Sequence, residues 1–252
     1  MPRERNNAYV EEYKGYTINI AFDPEPLNPR MEWDNFSKMI CFHKRYDLGD
    51  KHDLKHGDFS GWDELSSHLV TELNAKIIYP LYLYDHSGIT ISVGKFSCPW
   101  DSGQVGFVFA THDDIKKEFG EGPEAEEKAR KLLLAEVETY DNYLTGQVFG
   151  FIVEKDGEDL DSCWGYFGEY KDALEEAKSV VDHRISSLSY KDMTETEKFN
   201  SIRDAFLKIV DSVTTREGLY SSTGLSLEEV DAILKLRENV ITEMTSPKKE
   251  SA

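Results

Sequence analysis

Residues Tyr84–Gly106 read YDHSGITISVGKFSCPWDSGQVG, with four glycines among them. Two polar bends, Asp85-His86-Ser87-Gly88 and Cys98-Pro99-Trp100-Asp101-Ser102-Gly103, flank one short run of β-formers, Ile89 to Val93. Glycine takes backbone geometry that other residues resist, and Pro99 holds one φ angle. Bends of this composition have a specific shape. They also gather Asp, His, Ser, Cys and Trp side chains into a small span, so a site is expected here.

Outward from this stretch, Ile77 to Tyr84 is apolar on alternate and intervening positions and reads as a central strand, with Ile89 to Val93 returning beside it and Val105 to Ala110 following. Earlier in the chain a first strand is expected from Tyr13 to Phe22. Pro24, Pro26 and Pro29 then impose an irregular segment, and Met39 to His43 reads as a second strand. Ser60 with Asp63 suggests a helix start, and Trp62, Leu65, Leu69, Val70 and Leu73 fall on one helical face. Later, His112 to Phe119 reads as a short helix. Pro123 suits the first turn of another, whose stripe is Ala129, Leu133, Val137, Tyr140 and Leu144. Gln147 to Val153 and Leu160 to Phe167 read as a hairpin about the Asp156-Gly157 turn. An amphipathic helix follows from Tyr170. Two capping-box patterns, Thr194 with Glu197 and Ser226 with Glu229, open two further helices. Helices and hairpin strands are mixed without regular alternation. The fold class is therefore α+β, with one largely antiparallel sheet of about six or seven strands flanked by amphipathic helices and a C-terminal helical hairpin. The expected domains are a core over residues 1–190 and a helical appendage with a polar tail over residues 191–252.

The chain has 252 residues, 39% of them hydrophobic and 12% aromatic, enough to bury an ordinary core. Its formal net charge is −19. Such a field repels nucleic-acid phosphates and anionic membranes, and favours basic proteins or proteins whose DNA-binding groove carboxylates could occupy. The plainer reading of the same charge is solubility. No apolar run approaches the ~20 residues a bilayer needs, and no secretion signal opens the chain, so a cytoplasmic location is expected. The three cysteines, Cys41, Cys98 and Cys163, are read as free thiols.

Four chemistries suit these residue types, each with a plainer alternative. Cys98 or Cys163 could serve as a nucleophile, with His86 or His43 as base and Asp85, Asp101 or Asp161 orienting it. Alternatively, the cysteines behave as small apolar residues. Cys41, His43, His52 and His56, with Asp50 and Asp53 among them, form a ligand set on paper, but their spacing is irregular and solvated histidines are the better expectation. No metal and no cofactor is therefore expected. Gly103 and Gly106 could cradle a phosphate, yet they lead into a strand instead of a helix N-terminus, and a turn that positions Trp100 explains them as well. Acidic clusters at Glu121, Glu124, Glu126 and Glu127, and at Glu154, Asp156, Glu158, Asp159 and Asp161, could recognise a macromolecule. Acid at a helix start is also favoured by the helix dipole alone.

Together the motifs Trp33-Asp34-Asn35, Cys41 to Asp50, Leu81 to Gly88, Phe96 to Gly106, Tyr140 to Gly146 and Asp161-Ser162-Cys163-Trp164-Gly165-Tyr166-Phe167-Gly168 resemble a family of uncharacterised proteins of bacteriophages and other mobile elements. The resemblance covers Tyr13 to Gly168. It implies a phage or plasmid accessory protein and carries no catalytic assignment.

The expectation is an acidic cytosolic accessory protein that binds a host macromolecule, an inhibitor of a host defence or regulatory system. The alternative is a small-molecule-binding protein or hydrolase at the Tyr84–Gly106 loops. The candidate site is His43, Asp85, His86, Ser87, Cys98, Trp100, Asp101, Ser102, Cys163 and Trp164. A host protein is the expected partner, with no direct nucleic-acid binding, no membrane, and the C-terminal helices as the surface for any homo-oligomer.

Overall fold

A computed structural model of the chain describes residues 7–192 and Lys235. Contacts divide the chain into two units, Met1–Val181 and Asp182–Ala252. Of the second, the described residues are helical. The helical hairpin expected over 191–252 lies, apart from Lys191, Asp192 and Lys235, outside the described residues.

The first unit is α+β, and its strand pairs are all antiparallel, but they form two four-stranded sheets where a single sheet of six or seven was expected. The first sheet has the order β1-β2-β7-β8, from strands β1 (Asn7–Tyr13), β2 (Tyr16–Phe22), β7 (Val148–Lys155) and β8 (Glu158–Phe167). The single strand expected from Tyr13 to Phe22 is in fact the second arm of a hairpin. Lys14 and Gly15 both have positive φ (50° and 79°) and make the tight turn, with Tyr13 facing Tyr16. Lysine seldom takes that geometry, so the turn is weakly signalled. The Asp156-Gly157 turn, with φ 54° and 83°, closes the β7–β8 hairpin as expected.

The second sheet has the order β3-β6-β4-β5, from β3 (Lys38–Cys41), β4 (Ala75–Asp85), β5 (Ile89–Ser92) and β6 (Ser102–Thr111). It is covered on both faces. On one side α4 (Pro123–Leu144) lays Ala129, Leu133, Val137 and Tyr140 against Met39, Leu81, Leu83, Ile91 and Val108. On the other, α2 (Trp62–Thr71) packs Leu65 and Leu69 on Ile40, Phe107 and Phe109. Burial from both sides is why these strands lack simple alternation. The buried periodic face of α4 supplies the apolar area that drives this packing, at about 25 cal/mol per Å² removed from water.

Between them, α3 (His112–Phe119) starts at Thr111, whose hydroxyl accepts from the Asp114 N–H at 3.1 Å while Asp114 bonds back to Thr111. The proline segment is not wholly irregular. Asn28 caps a short helix, α1 (Pro29–Glu32), by accepting from the Arg30 N–H at 2.9 Å, and Pro29 occupies its first turn. This helix turns Arg30 inward, where its guanidinium binds both oxygens of Asp50 at 2.7 Å and the Ser37 carbonyl at 2.8 Å. Glu136 of α4, 3.6 Å from the same guanidinium, accepts the N–H groups of Phe36 and Ser37 at 2.6 and 2.8 Å. The polar cluster thus ties the 28–50 segment to both α4 and β3. The last helix, α5 (Tyr170–Asp192), buries Ala173, Leu174, Ala177 and Val181. No described helix is long and apolar enough to cross a membrane.

Candidate functional site

The loop after β3 folds back on itself through His43. Its Nδ1 accepts the backbone N–H groups of Arg45 and Tyr46 at 3.3 and 3.2 Å, which places the proton of the neutral ring on Nε2. The ring stacks on Tyr46 with centroids 4.9 Å apart. The Tyr46 hydroxyl then donates to Asp85 Oδ1 at 3.2 Å, and Arg45 pairs with Asp85 Oδ2. One carboxylate at the end of β4 thereby anchors the whole loop.

The two glycine bends meet beside this anchor. The Asp85 N–H donates to the Asp101 carbonyl at 2.8 Å, and His86 Nδ1 lies 3.4 Å from Asp101 Oδ2. The Cys98 thiol donates to the same carboxylate at 3.6 Å, and the Ser102 hydroxyl donates to the Cys98 carbonyl at 2.5 Å. Ser87 takes φ 59° at the tip of the β4–β5 turn, where His86 N–H bonds the Gly88 carbonyl at 3.0 Å. Its part is the turn itself.

Between the Phe42–Leu48 loop and the Trp100 bend lies a cleft of about 940 Å³. Of the residues expected to form a site, His43, Asp85, Trp100, Asp101 and Ser102 line it. His86 and Cys98 stand behind Asp101 as its partners. Cys163 and Trp164 lie on β8 in the other sheet and do not line this cleft. Trp164 lines a separate groove of about 550 Å³ with Trp33 and Phe167.

The cleft also takes residues that sequence reasoning did not place in a site, Phe42, Arg45, Tyr46, Trp62 and Gln104, and it takes His56, which was weighed there only as a metal ligand. Phe42, His56 and Trp62 form an edge-to-face group, with His56 5.6 Å from each of the other two rings. Their meeting depends on α2 covering the sheet, which no local pattern encodes. Trp100 is 92% exposed at the rim.

The arrangement constrains the chemistry. The Cys98 thiol donates to the Asp101 carboxylate and the Ser102 hydroxyl to the Cys98 carbonyl, so neither is paired with an imidazole as in a Cys–His or Ser–His arrangement. Cys41 is buried, and burial pushes its thiol up to about 12, which leaves it protonated and inert. Asp50 is occupied by Arg30 and by the Met39 N–H at 2.7 Å, and His52 Nε2 lies 3.1 Å from the Cys41 carbonyl. Among the described residues no three His, Cys, Asp or Glu side chains are grouped to hold a metal ion. Gly106 has a packing reason: a Cβ there would stand 1.8 Å from the Ile40 carbonyl oxygen across the β3–β6 pair. The first acidic cluster is largely paired, Glu121 with Lys116 at 2.7 Å and Glu124 with Lys128 at 2.8 Å. No family model matches the chain, and neither does any curated protein or solved structure.

Proposed function

We propose that the protein works by binding, and that the cleft between the β3 loop and the Trp100 bend is its ligand site. One observation carries this reading. Trp100 presents nearly its whole surface to solvent, yet it sits in a bend held by hydrogen bonds from Asp85, Ser102 and Cys98. An exposed aromatic on an ordered bend at the mouth of an open cleft is the arrangement that anchors a ligand with little entropy loss. A volume of about 940 Å³ suits a metabolite-sized molecule. Trp100 and the Phe42–His56–Trp62 group supply apolar walls, and Asp101, Gln104 and His43 supply polar contacts. The favoured ligand therefore carries a planar group with hydrogen-bonding edges.

A host protein as partner of a phage accessory protein is the second reading. It is supported by the net charge of −19 and by the exposed aromatic surface at Trp33 and Trp164.

The test is a thermal-shift screen with nucleosides, aromatic amino acids and flavin fragments, repeated with Trp100→Ala. The cleft reading expects a compound that raises Tm for the native chain and loses most of that effect with the variant. A panel that leaves Tm unmoved, or a ligand whose effect survives Trp100→Ala, overturns it.

A further inference from the structure

The groove on the other sheet has a composition of its own. Trp33, at the end of α1, meets Phe167 of β8 edge-on at 5.1 Å. Trp164 lies flat against the backbone of Gly150, where a Cβ would come within 2.1 Å of the indole. The glycine thus makes the seat that lays the ring into the sheet face. Leu27, Trp33 and Trp164 remain 61%, 45% and 40% exposed. Large apolar side chains gathered in this way mark a contact surface more often than chance exposure does.

Charge then selects the occupant. The charged residues lining the groove are Asp23 and Glu25, both acids. Asp23 is half-buried, with Oδ1 accepting the Glu25 N–H at 3.0 Å. Arg30, the nearest cation in sequence, is turned into the interior on Asp50. The faces of tryptophan and phenylalanine carry negative charge density and attract cations. An anion here would meet two carboxylates, three aromatic faces and a net charge of −19. A neutral aliphatic group would cover the carboxylates without replacing their water.

We propose that this groove receives an arginine side chain of a basic polypeptide partner. A guanidinium is planar and weakly hydrated, so it stacks on indole while its N–H groups reach carboxylates. At about 550 Å³ the groove is larger than one guanidinium, and the remaining space fits the residues flanking that arginine. A polypeptide segment is thus the occupant, in place of a free small cation.

The chain contains four tryptophans, Trp33, Trp62, Trp100 and Trp164, so 5-fluorotryptophan labelling gives one fluorine resonance for each, assigned by single Trp→Phe variants. The probe is acetyl-Gly-Arg-Gly-amide. Its control is the same peptide with citrulline, which keeps the shape and removes the charge. The expected result is a saturable shift of the Trp33 and Trp164 resonances with the arginine peptide, at least about fivefold weaker with citrulline. Glu25→Gln is expected to weaken it about threefold. Unmoved Trp33 and Trp164 resonances, or equal response to both peptides, overturn the proposal. Shifts confined to Trp62 and Trp100 overturn it too, and assign the cation to the other cleft. Three assigned resonances fix the fourth by elimination, so one Trp→Phe variant that fails to fold does not block the readout.

Discussion

The backbone N–H of Asp85 donates to the carbonyl oxygen of Asp101 at 2.8 Å. This single bond joins two bends that are separated in sequence by β5 and the turn after it. It lets one carboxylate hold the β3 loop while the next bend presents Trp100. Asp85 lies at the centre of that arrangement, because its side chain accepts from Tyr46 and pairs with Arg45. Asp85→Ala should leave the backbone bond in place and release the loop. The expected cost is about 0.5–1.5 kcal/mol, from a partly buried tyrosine hydroxyl that loses its acceptor, read as a lower urea midpoint. A midpoint equal to wild type would show that the loop holds without this carboxylate.

Trp100 and Trp62 should separate binding from folding. Trp100 is exposed, so Trp100→Ala should change stability by no more than about 0.5 kcal/mol. Trp62 is half-buried and packs on Phe42, His56 and Phe107. Trp62→Ala should cost about 3 kcal/mol, near the lower end for large aromatic truncations. Urea denaturation of both variants checks the contrast.

Arg30 has only 1% of its side chain exposed and carries the only positive charge facing Asp50 and Glu136 in the described ion pairs. Arg30→Met leaves two partly buried carboxylates without it and should destabilise by about 3–5 kcal/mol. Asp50→Asn should cost less, because an amide oxygen still accepts the Met39 N–H seen at 2.7 Å. Equal losses for the two variants would refute this ordering.

Alkaline pH should weaken the fold through two buried neutral acids. Burial pushes the Cys41 thiol from 9.0 up to about 12. Burial also pushes the Tyr140 phenol from 10.0 up to about 12, opposed by the Gly49 N–H that it accepts. Both groups have folded values above their unfolded ones. Their contribution is therefore fully present below about pH 9 and is lost as the pH rises to about 12. Denaturation midpoints should fall across that window, and Cys41→Ala should flatten the part that begins near pH 9. A parallel slope in the variant would remove Cys41 from the account.

Two glycines should tolerate no methyl group. A Cβ at Gly106 meets the Ile40 carbonyl oxygen at 1.8 Å, and one at Gly150 meets the Trp164 ring at 2.1 Å. Gly106→Ala collides with backbone and should cost at least about 2 kcal/mol, a Tm loss of at least about 4 °C for a unit of this size. Gly150→Ala meets the Trp164 ring at 2.1 Å and the Cys163 carbonyl oxygen at 2.8 Å; its harder collision is with a side chain instead of backbone, so its Tm should fall less. The stronger expected effect of Gly150→Ala is a changed fluorescence from Trp164.

Much of the local structure was legible in the residues. The α4 stripe, the α3 start and the Asp156-Gly157 turn all follow from contacts within a few positions along the chain, where periodicity and capping chemistry speak directly. The α2 start was read one residue early: Gly61 is the cap, and Ser60 instead donates its N–H to Glu64 at 2.6 Å. The Lys14-Gly15 turn was missed because lysine carries no turn signal of its own. In the cleft, the meeting of the two bends was legible because both flank one short strand. The inclusion of His56 and Trp62 was not, since they arrive with a helix whose docking depends on distant strands.

The residues alone settled the repertoire: antiparallel arms, amphipathic helices, glycine-shaped bends rich in polar groups, and a strongly negative charge. Each of these rests on forces acting between near neighbours in the chain or on simple summation. Only the folded molecule decided which arms would pair into which of two sheets, that Cys98 would face a carboxylate instead of an imidazole, and that Trp100 and Trp164 would serve separate hollows. Those choices depend on burying apolar surface between segments far apart in sequence, and hydrophobic burial has no direction of its own. The same alternating strand accepts several partners until the whole core selects one.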